Sequence, residues 1–481
     1  MRQYITPNDP DVIRDTDSAS IQAAVDAAEA CGCGKVVIPR MNVRTGEAVW
    51  IIGETILLPS DMTVELDNCR LRFADGVFCN MFRNRNMYTP ARLTPEGEQH
   101  DIRILGRGNA VLDGGVHNGL TERTSNRDGY PHIYHNSFIL LHNVRAFELS
   151  GFRMEEPRWW CVNLMYCSYG RVRDLDVQAR DNVPNQDGID LRAGCHDILI
   201  QNITGQGGDD LIALTGFQGT ETRHAVEGKS IDIHSVVVRD IRGSSVTKAI
   251  VALRNQDGVK LYNILIDGIV DSSEANAAYA PYAALRIGQN AYVHSRPSVL
   301  GETYNITVRN IHSSRNTAVL LCSTLLDSDF SNIKICGSGV SAVSTNGGAN
   351  LKNIRIDGVY YTVDKARMTA NPHDRCGTHN ALFNFEHDVQ IPDETDGVKV
   401  PLTGWIKGAY GPMLLRENNR AEDVYIDNVF MPASTTPDGA DKLLAYLSGQ
   451  AKVHFSRCRT GSADPGNLIL CENGAEAVVE R

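Results

Sequence analysis

The chain has 481 residues, 42% of them hydrophobic and 22% charged, an ordinary folded composition with ample material for a core. Its 47 basic and 58 acidic residues leave a net charge of −11, which argues against a nucleic-acid binder. No stretch approaches the roughly 18 apolar residues of a membrane span, and the twelve cysteines include no CxxC pair, which excludes zinc-ribbon spacing.

In chain order, residues 1–10 hold no apolar secretory core, so a cytoplasmic, reducing location is expected, with cysteines such as Cys322 as buried thiols. Asp17-Ser18 can cap a helix on which Ile21, Ala24, Val25 and Ala28 form one apolar stripe. Gly32 and Gly34 end it, and Val36-Val-Ile-Pro39 follows as a strand. Residues 15–40 are read as a cap over the open edge of a first coil, where unpaired strand groups invite association.

A short pattern then recurs: an apolar residue, two polar or small residues, and another apolar residue. It runs Leu149-Ser-Gly-Phe152, Val172-Arg-Asp-Leu175, Ile200-Gln-Asn-Ile203, Val238-Arg-Asp-Ile241, Ile266-Asp-Gly-Ile269, Val308-Arg-Asn-Ile311, Ile356-Asp-Gly-Val359 and Ile426-Asp-Asn-Val429. The first steps are 23 and 28 residues, and later ones lengthen to 38, 28 and 42 as loops are inserted. One such unit cannot bury its own apolar face, whereas stacked units make a continuous core. Propeller blades need about 40–45 residues, and no helical segments alternate with the strands as a TIM barrel requires. The expected fold is all-β: a right-handed parallel β-helix forming a single domain over 1–481, with the N-terminal capping helix. Residues 361–422, with Pro372, Pro392, Pro401 and Pro412, are read as a long loop excursion.

Two acidic segments stand out, Asn185-Gln-Asp187-Gly-Ile-Asp190 and Gly207-Gly-Asp209-Asp210, with Asp187 and Asp209 22 residues apart, one short coil. Stacked coils lie about 4.8 Å apart, so both segments can reach one groove. Taken singly, either is most simply a structural turn; the pair at one-coil spacing reverses that preference. A turn at the two glycines would present both Asp209 and Asp210 to solvent. Clustered carboxylates repel, which raises at least one pKa and suits a general acid beside an ionised base.

Around them, Trp159 and Trp160 stand one coil earlier; both can pack in the core, or one packs there while the other, Trp160, stacks on a sugar ring. His135, in Tyr130-Pro-His-Ile-Tyr-His135, and His224 are candidates to line a cleft, although a lone histidine is more often structural. Arg192, with Asp181 and Asp190, flanks the first motif.

At the two aspartate motifs the sequence resembles the polygalacturonases, glycoside hydrolase family 28, whose motifs run Asn-x-Asp, Gly-Asp-Asp, Gly-His-Gly and Arg-Ile-Lys. The chain supplies Asn185-Gln-Asp187 and Gly208-Asp209-Asp210 in order and at the right spacing. Asp113-Gly114 is similar to the family's Ile-Asp-Gly segment, Pro157-Arg-Trp-Trp160 to the stretch before its Asn-x-Asp coil, and the opening helix and strand to the wider pectate-lyase-like superfamily. The resemblance implies that Asp209 is the general acid and that Asp187 and Asp210 activate the attacking water, with inversion at the anomeric carbon. It also implies substrate contacts at Asn185, Lys248 and Arg286. At the last two positions the chain departs from the family, reading Val246-Thr-Lys248 for Gly-His-Gly and Arg286-Ile-Gly288 for Arg-Ile-Lys. The implied substrate is therefore a pectin-type or related oligosaccharide, not polygalacturonate in particular, and exo action is favoured if it is an imported one.

The expected partner is an oligo- or polysaccharide; no metal, cofactor, nucleic acid or membrane is called for, and an oligomer is not indicated. Two alternatives remain open at this point. One is a polysaccharide lyase or uronate epimerase, with Lys248 and Arg286 neutralising a carboxylate. The other is a non-catalytic glycan-binding β-helix of the tailspike kind.

Overall fold

The structure, a computed structural model, describes residues 3–116, 135–180, 185–216, 224–273, 283–288, 298–314, 317–336, 341–345, 349–362, 379–386, 420–432, 442–461 and 463–480. The chain divides into two compact units, residues 1–209 with 220–236 and residues 210–219 with 237–481.

In the first unit, each turn of chain adds one short strand to one parallel sheet and one longer strand to another. Ile56–Leu58, Phe82–Asn84, Ile139–His142, Val162–Met165 and Ile189–Leu191 make the short-strand sheet. Thr63–Asp67, Gln99–Arg107, Val144–Ser150, Ser168–Gln178 and His196–Gly207 stack in the other. The second unit repeats the scheme, from Ile212–Gly216 and Ala249–Asn255 to Ile469–Glu472 in short strands, and from Leu261–Asp271 to Glu476–Val479 in long ones. Each unit is built as the parallel β-helix read from the repeats.

The register shows why the motif recurs. Leu149, Val172 and Ile200 pair as neighbours in the first unit. Ile266, Val308, Phe330, Ile356, Ile426 and Phe455 do so in the second. All are buried, so each motif's leading residue builds one row of core. Two residues later the backbone turns left-handed: Gly151 (φ 80°), Asp174 (55°) and Asn202 (54°) in the first unit, and Gly268 (88°), Asn310 (61°), Asn332 (54°), Gly358 (72°) and Asn428 (57°) in the second. Glycine reaches that region without strain and Asn or Asp tolerate it, which fixes the third letter of the motif. The polar side chains also link coils, as in Asn202 Nδ2 to Asp174 Oδ1 (2.7 Å) and Asn332 Nδ2 to Asn310 Oδ1 (2.6 Å).

The helix spans Asp17–Ala30 with Ile21, Ala24, Val25 and Ala28 fully buried, and Gly32 (φ 72°) follows its end. Its N-cap is Thr16, not Asp17-Ser18: the Thr16 hydroxyl accepts from the Ala19 N–H at 3.1 Å. Asp17 and Ser18 instead reach the strands, Asp17 accepting from the Ile51 N–H (2.7 Å) and Ser18 from the Gly53 N–H (2.9 Å). Gln22 does the same for the Leu57 N–H (2.7 Å). The helix thus supplies acceptors to strand N–H groups as well as an apolar stripe.

The loop expected over 361–422 is interrupted by the strand Ala381–Phe385, which pairs with Val343–Thr345 and Leu443–Ser448. Ala381, Phe383 and Phe385 are buried, and another strand starts at Arg420. The prolines named in that range lie outside the described residues. Among the described residues, no helix is long and apolar enough to cross a membrane, and no disulfide joins the described cysteines.

Candidate active site

In the first unit's short-strand sheet, alternation sends Val162, Leu164, Ile189 and Leu191 into the core. Asn163 and Asp190, which are in register, face the other way. That outward face is nonetheless buried, Asp190 being 1% exposed. Leu140, in register with Asn163, packs there with Met87, Trp159, Trp160, Met165, Tyr166, Ala193 and Val226. Polar side chains held under an apolar cover are the informative kind of burial.

Asp187 lies two residues before the strand Ile189–Leu191 and is 4% exposed. Its carbonyl accepts from the Cys161 N–H at 2.8 Å, and the preceding Gln186 donates from Nε2 to the Pro157 carbonyl at 2.6 Å. The Gly208 N–H donates to the Gln186 carbonyl at 2.9 Å. That bond sets the segment carrying Asp187 against the one carrying Asp209. Asn185 turns left-handed at φ 58°, and its buried Nδ2 has no hydrogen-bond partner among the described residues.

The segment Pro157-Arg-Trp-Trp160 braces this coil. Buried Arg158 donates to the carbonyls of Gly114 (2.7 Å), Val77 (3.0 Å), Ala74 (3.1 Å) and Val116 (3.1 Å). Burial holds its pKa below the usual value. Trp160 is 5% exposed, with its ring against Trp159 at 5.2 Å and the Arg192 guanidinium over it at 4.5 Å. Trp160 and Arg192 thus occupy each other. Half-buried His135 rests on Phe78 at 4.8 Å and precedes a strand two coils before that of Asp187, roughly 10 Å along the stack. The His224 carbonyl accepts from His142 Nε2 at 2.7 Å, and burial pushes the His142 pKa down to about 4. Asp181 lies outside the described residues.

Asp210 belongs to the second unit and is fully buried, whereas Asp209 is half-buried, so the glycine turn does not present both to solvent as the sequence suggested. Asp210 Oδ1 accepts from the Ala249 N–H at 2.8 Å and Oδ2 from Arg286 Nη2 at 2.8 Å, with Arg254 Nη1 3.9 Å from Oδ2. A buried carboxylate needs such partners. Lys248, half-buried, immediately precedes Ala249, and its own N–H donates to Ser245 Oγ at 2.9 Å. The expected residues Asp210 and Arg286 are therefore brought together, and Lys248 adjoins them along the chain. The sequence reading singled out neither Arg254 nor Asn163, and it quoted Arg158 only within Pro157-Arg-Trp-Trp160. Arg254 and Arg158 sit beside apolar residues, and only a charged group in such a stretch hinted at them.

Residues 95–224 match the family model described as Glycosyl hydrolases family 28, a span that takes in both aspartate motifs. No curated protein matches the chain. Among solved structures, a tailspike protein of E. coli bacteriophage HK620 in complex with a hexasaccharide aligns with TM-score 0.56 and 14% identity, covering 99% of this chain and 78% of its own. The same tailspike with a pentasaccharide gives 0.59, 13%, 99% and 80%. An exopolygalacturonase from Thermotoga maritima gives 0.47 and 16% over 71% of this chain and 89% of its own. The tailspike likeness is one of fold.

Proposed function

We propose that this chain, whose residues 95–224 match the family-28 model, is a glycoside hydrolase that cleaves a pectin-type or related oligosaccharide by single displacement with inversion. The observation that carries the proposal is that the matched span holds Asp187 and Asp209 on two segments tied by the Gly208–Gln186 backbone bond.

Asp209 gives its proton to the glycosidic oxygen as the bond to the anomeric carbon breaks. Asp187 and Asp210 take a proton from the water that attacks that carbon from the opposite face. Products are an alcohol and a hemiacetal of inverted configuration. Asp209 suits the acid role because it is the least buried of the three and can regain its proton from solvent. Asp210, bonded to a guanidinium and a backbone N–H, has its oxygens engaged as acceptors, which suits the base side. Asn185, Lys248 and Arg286 are the proposed sugar contacts, and exo attack is the proposed mode.

Proton NMR of the protein with galacturonide, rhamnogalacturonide and neutral oligosaccharides, beside Asp209→Asn, tests this. New reducing ends of inverted configuration, absent in the variant, are expected, with one product released from chain ends. An unsaturated product absorbing in the ultraviolet would mean a lyase. Glycan binding without cleavage, unchanged in Asp209→Asn, would mean a binding solenoid.

A further inference from the structure

We infer that Arg254 is a positioning residue that, with Arg286, clamps the carboxylate of Asp210. The inference rests on the hydrolase reading above and adds to it a residue outside the aspartate motifs. The strand Ala249–Asn255 is buried at every position. Val251 and Leu253 pair with Leu285 and Ile287 on the core side, so alternation sends Ala252 and Arg254 to the outward face. Arg286 is in register with Ala252, and Ala252 with Ala213, so two methyl groups line the row beneath the long Arg286 side chain as it reaches back to Asp210. Arg254 is in register with Thr215 and approaches the same Oδ2 from the neighbouring coil.

The two guanidiniums act differently. Arg286 makes a direct charge-assisted hydrogen bond at 2.8 Å, which depends on the geometry of its planar fork. Arg254, at 3.9 Å, lies beyond hydrogen-bond range and acts through its charge. Both are almost enclosed, Arg254 being 9% exposed, so water screens them little. Together with the Ala249 N–H they fix both oxygens of a carboxylate on which water activation depends.

The test is steady-state kinetics of the full chain on whichever oligosaccharide the wild type cleaves, with circular dichroism to confirm folding. Arg254→Met is expected to lower kcat by about 10- to 100-fold while KM changes by less than about 3-fold. Arg254→Lys, which keeps the charge, should recover most of the rate, whereas Arg286→Lys, which loses the fork, should not. In an Asp210→Asn background, Arg254→Met should cause no further loss, because its route to the reaction is already cut. If Arg254→Met does not fold, Arg254→Gln takes its place in both backgrounds. A raised KM with unchanged kcat, or a full additional loss in Asp210→Asn, would overturn the clamp and make Arg254 a substrate contact. Unchanged kinetics in Arg254→Met would overturn it too. A wild type that cleaves no glycan would instead overturn the hydrolase reading, and the positioning role with it.

Discussion

Ser168–Gln178, in the long-strand sheet, runs between buried and exposed residues along its length, while Val162–Met165 and Ile189–Leu191, in the short-strand sheet of the same unit, are buried at every position. The first pattern is that of a sheet with one face on the core and one in water. Beside exposed Tyr169, its outward residues are Arg, Asp and Gln, and charged ones pair across coils at the surface, as Arg173 does with Glu148 at 2.7 Å. The second pattern looks like a doubly covered apolar sheet, yet its outward positions hold Asn163 and Asp190. The second unit repeats the contrast: Leu325–Cys336 mixes exposed residues with its buried apolar ones, whereas Ala249–Asn255 is buried throughout and carries Arg254 outward. Buried polar groups cost free energy unless partnered, so these outward positions need their partners supplied within the fold.

The sharpest way to break that comparison is at neighbouring carboxylates. Asp210→Ala should destabilise the fold by about 3–5 kcal/mol in urea unfolding, because it removes the buried carboxylate that accepts from Arg286 and lies beside Arg254. Asp209→Ala, at a half-buried position, should cost under about 1 kcal/mol. Equal losses would mean that Asp210 is not held as described. Next comes Arg158→Ala, which strands four carbonyls and should cost about 3 kcal/mol, read as a lowered midpoint. A surface control such as Arg173→Ala should change stability by less than about 0.5 kcal/mol.

A smaller effect follows from His142. In the folded chain it stays neutral down to about pH 4, while unfolded histidine protonates near 6.5. Between those values unfolding takes up a proton, so acid removes stability, by about 2 kcal/mol at pH 5 relative to pH 7.5. His142→Gln should flatten that part of the pH profile, and an unchanged slope would assign it to other groups. A further expected change is a gain. Ala146 holds φ 59°, where glycine or asparagine sits with less strain. Ala146→Asn should raise stability by about 1 kcal/mol in the same assay.

That last site also shows what the sequence made legible. The left-handed row at Gly151, Asp174 and Asn202 announces itself because strain restricts it to Gly, Asp and Asn. The companion row five residues earlier adopts the same conformation at Ala146, Tyr169 and Asp197, so no residue type signals it. That the segments carrying Asp187 and Asp209 meet was readable from their one-coil spacing. Arg254 was not, since its meaning depends on an approach to Asp210, 44 positions away, that only the coil register creates. The Thr16 cap was missed because Asp17 and Ser18 are equally good caps by type, and their commitment to Ile51 and Gly53 is a long-range fact.

Arg158 carries a kinetic consequence. Its four carbonyl partners lie on segments near residues 74–77 and 114–116, separated from it by 42 to 84 positions. Those segments come together through the stacking of the intervening coils, so the guanidinium is expected to close late on the path to the folded state. Contacts absent from a folding transition state leave the rate of folding alone and slow escape from the native state. Arg158 thus acts as a latch on the first unit's lifetime: its removal should speed unfolding while leaving refolding almost unchanged.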